Sequence, residues 1–157
     1  MTSVLTTGIG PPRLMGHGEI AVTSTTETTI GTQNTFVQAA GTYTLSGNAS
    51  NWDMAVSARM RYIGAENRVV HIAASWSITS PGNNKVFRVA VAKNGTPIAV
   101  SEVQRKLATG ADVGSGAAHA FIDVVTNDYL SVMVANATDA VNLTFVTLNL
   151  FGMDMPI

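Results

Sequence analysis

The stretch FRVAVAKNGTPIAVSEV, Phe87 to Val103, carries its own test of register. Asn94-Gly95 is the strongest short-range hairpin signal, because a type I′ turn needs φ > 0 at both central positions. With that pair as the whole loop, Lys93 faces Thr96, Val91 faces Ile98, Val89 faces Val100 and Phe87 faces Glu102. Successive side chains alternate faces, so Phe87, Val89, Val91, Ile98 and Val100 are expected on the core side. Ala90, Ala92, Ala99 and Ser101 fall on the other, with Arg88. The register demanded by the turn agrees with the one demanded by the apolar pattern. Pro97 falls opposite Ala92 and offers no N–H to a further neighbour, which predicts a sheet edge or a bend.

Similar runs occupy the rest of the chain: GEIAVT, NTFVQAAGTYTL, WDMAVSARMRYIG, NRVVHIAASWSI, AHAFIDVV, DYLSVMVAN and VNLTFVTLNLFGM, separated by Gly, Asn and Asp. Many short strands with regular turn signals predict an all-β, antiparallel two-sheet sandwich or barrel. SEVQRKLATG could form one helical turn before Thr109-Gly110 stops it. The first residues contain Gly10-Pro11-Pro12, which forbid helix and central strand. Residues 1–17 therefore read as an extended N-terminal arm and residues 18–157 as a single domain.

The faces of the strands differ. In NRVVHIAASWSI, Val70, Ile72, Ala74, Trp76 and Ile78 share one face, and Val69, His71, Ala73, Ser75 and Ser77 share the other. DYLSVMVAN sets Leu130, Val132 and Val134 against Tyr129 and Met133, and AHAFIDVV sets Ile122 and Val124 against Phe121 and Val125. In VNLTFVTLNL the apolar phase flips between Phe145 and Val146, so either a bulge intervenes or both faces are covered. A two-layer sandwich covers one face of each sheet, so strands apolar on both faces call for another copy of the chain or an overlying loop or arm.

Composition supports burial against partners. The 157 residues carry a formal net charge of −1, only 12% are charged, and 46% are hydrophobic; typical soluble domains are about 25% charged. Near-neutrality gives no electrostatic handle on nucleic acid. No apolar run is long enough for a membrane span, and the N-terminus lacks the charged start and apolar core of a signal peptide. There is no cysteine, hence no disulfide or thiolate site. The sequons at Asn48, Asn94, Asn136 and Asn142 read as turn and strand chemistry.

The chain offers few convergent polar groups, and no catalytic, cofactor or metal site is expected. His17, His71 and His119 are far apart in sequence and lack metal-ligand spacing. TGADVGSGAAH lacks the Lys-Ser/Thr of a phosphate loop and reads as an inter-strand loop. Asp112, Asp123, Asp128 and Asp139 form no calcium-loop pattern. Arg59, Arg61 and Arg68 make a small basic group near Tyr62, suited to edge or intersubunit ion pairs. Trp76 falls at a core position, while Trp52 is open between core packing and sugar stacking.

The order of GTYTL (41–45), RMRYIGAENRVVHIAASWSI (59–78), VAVAKNGTPIAVSEV (89–103) and AFIDVVTNDYLSVMVANATDAVNLTF (120–145) resembles the jelly roll of complement-type heads and tumour-necrosis-factor-like proteins. Within that group it is similar to virion proteins of tailed bacteriophages, where RYIG, SWS, KNG and NDYL follow in this order. The resemblance spans Gly18 to Phe151, with one departure: Asn127-Asp128 stands where the group more often has Gly-Asp. It implies a jelly-roll sandwich, a homotrimer packed around a threefold axis, and no catalytic residues. A threefold interface would cover Phe121, Val125, Tyr129 and Met133. The function implied is a capsid decoration (cement) protein on the virion surface, bound to the major capsid protein. The arm, through Ile9, Pro11, Pro12, Arg13, Leu14 and Met15, is the expected capsid-binding element. The alternative is the receptor-binding tip of a tail fibre, which is expected to follow a shaft that this sequence does not show. A lectin or small enzyme of the sandwich class is the third.

Overall fold

The computed structural model describes residues 15–155. Among them are thirteen strands and one 3-10 turn, arranged as two antiparallel sheets. One sheet runs β11 (Gly114–Val124), β7 (Arg68–Thr79), β13 (Leu143–Asp154), β1 (His17–Thr25) and β4 (Gly41–Leu45), with β2 (Glu27–Thr28) beside β13. The other runs β10 (Val103–Leu107), β8 (Lys85–Lys93), β12 (Tyr129–Asn136), β6 (Arg59–Tyr62) and β5 (Trp52–Val56), with β3 (Val37–Gln38) on β12 and β9 (Thr96–Pro97) on β8. From β10 onward each successive strand changes sheet. This is the sandwich expected from the pattern of short strands, in the jelly-roll form that the resemblance implies.

The apolar alternation becomes the core between the sheets. Ile72, Trp76 and Ile78 of β7 meet Phe87, Val89 and Val91 of β8, all buried. The phase flip in β13 is a bulge: the register on β7 shifts between Phe145 and Thr147. The extra residue, Val146, turns outward, so Phe145 and Leu148 both reach the core. Trp52 is buried too, its ring edge-on to Tyr62 at 5.1 Å, which decides for core packing.

The Phe87–Val103 hairpin forms, but only its first half has the expected register. Asn94 (φ 52) and Gly95 (φ 78) make the left-handed turn, and Lys93↔Thr96 and Ala92↔Pro97 pair as read. The Ile98 N–H still donates to the Val91 carbonyl at 2.9 Å. Then a 3-10 turn, Ala99–Ser101, interrupts the strand, and β10 resumes with Val103, not Val100, opposite Val89. Val100 is thereby expelled to 85% exposure, a correction to its expected place in the core. The Ser101 hydroxyl compensates by accepting the Val91 N–H at 3.1 Å and bonding the Ile98 carbonyl at 2.7 Å. A side chain thus satisfies the ladder group that the turn leaves unpaired.

Two loop expectations also change. Residues 103–107 form a strand rather than a helical turn, the turn lying just before them. The glycine-rich stretch read as a loop is strand from Gly114 onward. Gly116 lies under the Trp76 indole, and a Cβ there would come 2.4 Å from Cζ2, so this glycine serves close packing and not flexibility. At the N-terminus, β1 starts at His17, and Gly16 N–H donates to Asp154 at 3.1 Å; the sheet claims the last residues assigned to the arm.

Candidate functional site

The turn motifs that suggested the fold meet in space. The Asn94 amide N–H donates to the Tyr129 carbonyl, and the Asn94 side-chain oxygen accepts the Tyr129 N–H, both at 2.9 Å. Asn94 Nδ2 donates to Asp128 at 2.7 Å, and Lys93 Nζ lies 2.7 Å from the other Asp128 oxygen. Asp128 also accepts the Val125 N–H at 2.9 Å. Asn127 takes φ 76, the left-handed conformation that asparagine tolerates better than most residues, so Asn-Asp makes the same turn that Gly-Asp would. Burial pushes the Asp128 carboxyl up, but Lys93, the Val125 N–H and Asn94 together hold it below the usual carboxylate range. This latch is structural.

Most of the remaining acidic and basic candidates are likewise engaged; Asp123 is exposed, and among the described residues only its backbone carbonyl accepts a bond, from Lys93 at 2.6 Å. Asp139 pairs with Lys85, and Asp112 accepts the Thr109 hydroxyl and N–H at 2.8 Å. Arg61 grips Asp53 with two donors, and Arg88 grips Glu102 with two at 2.7 Å. Arg59 donates to Gln38 and lies 4.6 Å over the Tyr129 ring; Arg68 pairs with Glu66. The basic group near Tyr62 is therefore split among separate partners. Among the described residues no group of three or more His, Asp or Glu side chains is placed to hold a metal ion.

The four side chains read as one interface are divided by the structure. Tyr129 and Met133 lie on the outer face of the seven-stranded sheet, half-buried. Met133 is opposite Ala90 and beside Gln38. Ala90, Ala92, Ser131 and Ala135 on that face are already buried within the protomer. Phe121 is on β11, at the edge of the six-stranded sheet, and is 61% exposed. Val125, 44% exposed, sits in the turn leading to β12. They form no single patch. Of the arm candidates, Met15 is exposed; Ile9, Pro11, Pro12, Arg13 and Leu14 lie outside the described residues.

The outer face of the six-stranded sheet is the feature that sequence reading did not assemble. Strand register builds it in rows. Phe121 lies opposite His71, His71 opposite Met153, and Met153 opposite His17. The next row is His119, Ala73, Phe151 and Glu19, and the next Ala117, Ser75, Asn149 and Ala21. The His71 ring lies 5.0 Å from Phe121 and 5.7 Å from His119 between centroids. A shallow depression of about 400 Å³ opens among His71, Ala73, Ala117, His119, Asn149 and Phe151. Among the described residues these strands direct no Lys or Arg outward here, and Glu19 is hydrogen-bonded to Asn149. Exposed aromatics over small, uncharged neighbours suit contact with another surface. The signal was present in the alternation of NRVVHIAASWSI and AHAFIDVV, but the pairing of the two runs was not, because three strands intervene.

No family model and no curated protein matches the chain. Among solved structures, murine APRIL at pH 5.0 superposes with a TM-score of 0.60 at 10% identity, covering 88% of this chain and 99% of that one. Eiger TNF from S. frugiperda gives 0.58 at 7% identity, covering 92% and 94%. PRD1 vertex protein P5 gives 0.50 at 13% identity, covering 90% and 97%. The chain shares with these proteins the two-sheet antiparallel jelly-roll fold.

Proposed function

We propose that this protein is a virion structural protein, a homotrimeric decoration (cement) protein that binds a phage head lattice and stabilises it. The observation that carries the self-association is the outer face of the six-stranded sheet: aromatic, small-residue, nearly uncharged and left uncovered by the other described residues. Phe121 stays in the proposed interface and is joined by Phe151, Met153, Ala117 and His71. Tyr129 and Met133 leave it, since their sheet already covers itself. Three protomers arranged around one axis bury these faces in a closed ring.

The virion assignment is supported by the order of the turn motifs, which resembles that of tailed-phage virion proteins, and by the fold likeness to a vertex protein. Cement function follows mass action: each copy bound to the assembled lattice and not to free subunits lowers the free energy of the shell. Residues 1–14 are the proposed capsid-binding segment, with the major capsid protein as partner. Cryo-electron microscopy of the encoding virion tests this directly. Density for the jelly roll on the head surface supports it; density at a fibre tip establishes the receptor-binding reading instead. Removing residues 1–14 is expected to leave the oligomer intact and weaken head binding, and equal binding would remove the arm from the account.

A further inference from the structure

We infer that self-association through the six-stranded face is governed by the protonation of His71 and His119, so that the assembly forms near neutral pH and loosens in acid. The inference rests on the self-association reading above and adds its regulation. All three histidines of the chain, His17, His71 and His119, stand on this one face. His71 and His119 come from neighbouring strands, and their rings are 5.7 Å apart. His71 is half-buried already and His119 is exposed. Among the described residues neither ring has a hydrogen-bond partner.

The charged groups around the pair are few. On β7 the neighbouring outward residues Val69, Ala73 and Ser75 are uncharged, and on β13 so are Asn149, Phe151 and Met153. On β1, His17 and Glu19 face the same way, Glu19 being engaged by Asn149. On β11, Asp123 lies beyond Phe121 from His119, and Lys93 reaches that rim to donate to the Asp123 carbonyl at 2.6 Å. Protonating both rings thus places two adjacent like charges on a surface whose carboxylates are Glu19, engaged by Asn149, and Asp123 at its rim. In the free protomer water solvates them. Packed against another copy's aromatic and alanine side chains they are desolvated, which disfavours the charged form.

The sign follows by linkage. The separated protomer binds the protons more readily than the assembly, so association weakens as pH falls.

Sedimentation of the full chain at pH 8, 7, 6 and 5, with near-ultraviolet circular dichroism to follow folding, tests the inference. The expected result is dissociation of folded protomers between pH 7 and pH 5. The double variant His71→Gln, His119→Gln should remain assembled at pH 5. Should that variant fold poorly, the wild type supplies a second readout: dissociation at pH 6 must take up protons, measured by calorimetry in two buffers of different ionisation enthalpy. Equal assembly of the wild type at pH 5 and pH 8, or dissociation with no proton uptake, overturns the histidine inference and leaves self-association standing. A monomer at every pH overturns both.

Discussion

The two outward faces of this sandwich look alike in sequence and differ in the folded protein. On the seven-stranded sheet, Ala90, Ala92, Ser131 and Ala135 are buried beneath longer neighbours that find partners inside the protomer: Arg59 with Gln38 and Tyr129, Arg61 with Asp53, Arg88 with Glu102 and the Phe36 ring. On the six-stranded sheet, Phe121 stands 61% exposed beside imidazoles and alanines that no other described residue covers. Apolar residues on both faces of a strand therefore do not by themselves mark an interface. What distinguishes an interface is apolar area that the protomer's own side chains leave in water.

The largest effect should come from placing a charge on the uncovered face. Phe121→Asp is expected to weaken self-association at least 100-fold, since an unpaired carboxylate must be desolvated on assembly. The protomer's thermal midpoint should hardly move, because Phe121 buries little within it. Sedimentation and a melting curve read the two quantities separately. The same substitution on the covered face reverses the pattern: Met133→Asp should cost the protomer about 2 kcal/mol by setting a carboxylate among buried alanines. If Met133→Asp instead yields well-folded monomers, the two faces have been assigned the wrong way round.

The latch between the two turns gives the next effect. Asp128→Asn keeps the shape but loses the ion pair with Lys93, and should destabilise the protomer by about 1–3 kcal/mol at neutral pH. Because the Asp128 carboxyl is held below its ordinary range, its contribution is present above that range and disappears as pH falls through the folded value. Denaturant unfolding from pH 7 to pH 3 should accordingly bring wild type and variant together in acid. A constant gap between them would contradict the ion-pair account. The smallest effect belongs to Val100→Ser, at a position 85% exposed: within about 0.5 kcal/mol of wild type. A loss above 1 kcal/mol would restore Val100 to the core side that strict alternation assigned to it.

That last residue shows how far the sequence could be read. Asn94-Gly95 specified the turn, the pairs next to it and the core side of β8, because a tight turn and a period of two leave no freedom locally. The register failed two residues past Pro97, where a 3-10 turn is closed by the Ser101 side chain. Only a hydroxyl at the right height makes that interruption tolerable, and no periodic pattern carries such information. The flip in β13 was legible as two alternatives, which the bulge at Phe145 decided. The candidate face was legible strand by strand but not as a surface. Phe121 and Tyr129 are close in sequence, yet the Asn127-Asp128 turn sends their strands into different sheets. His71 and His119 are far apart in sequence, yet β7 and β11 are neighbours.

In the proposed assembly other copies cover the six-stranded face and leave the seven-stranded face open. The chain has no cysteine, so single cysteines report on each face without background. Ala117→Cys marks the first and Gln104→Cys the second, both at positions exposed in the protomer. Maleimide labelling of the assembled protein near pH 7.5 should find Cys at 117 protected until the oligomer is dissociated, and Cys at 104 reactive throughout. Full-rate labelling at 117 in an intact oligomer, with protection at 104, would contradict the account.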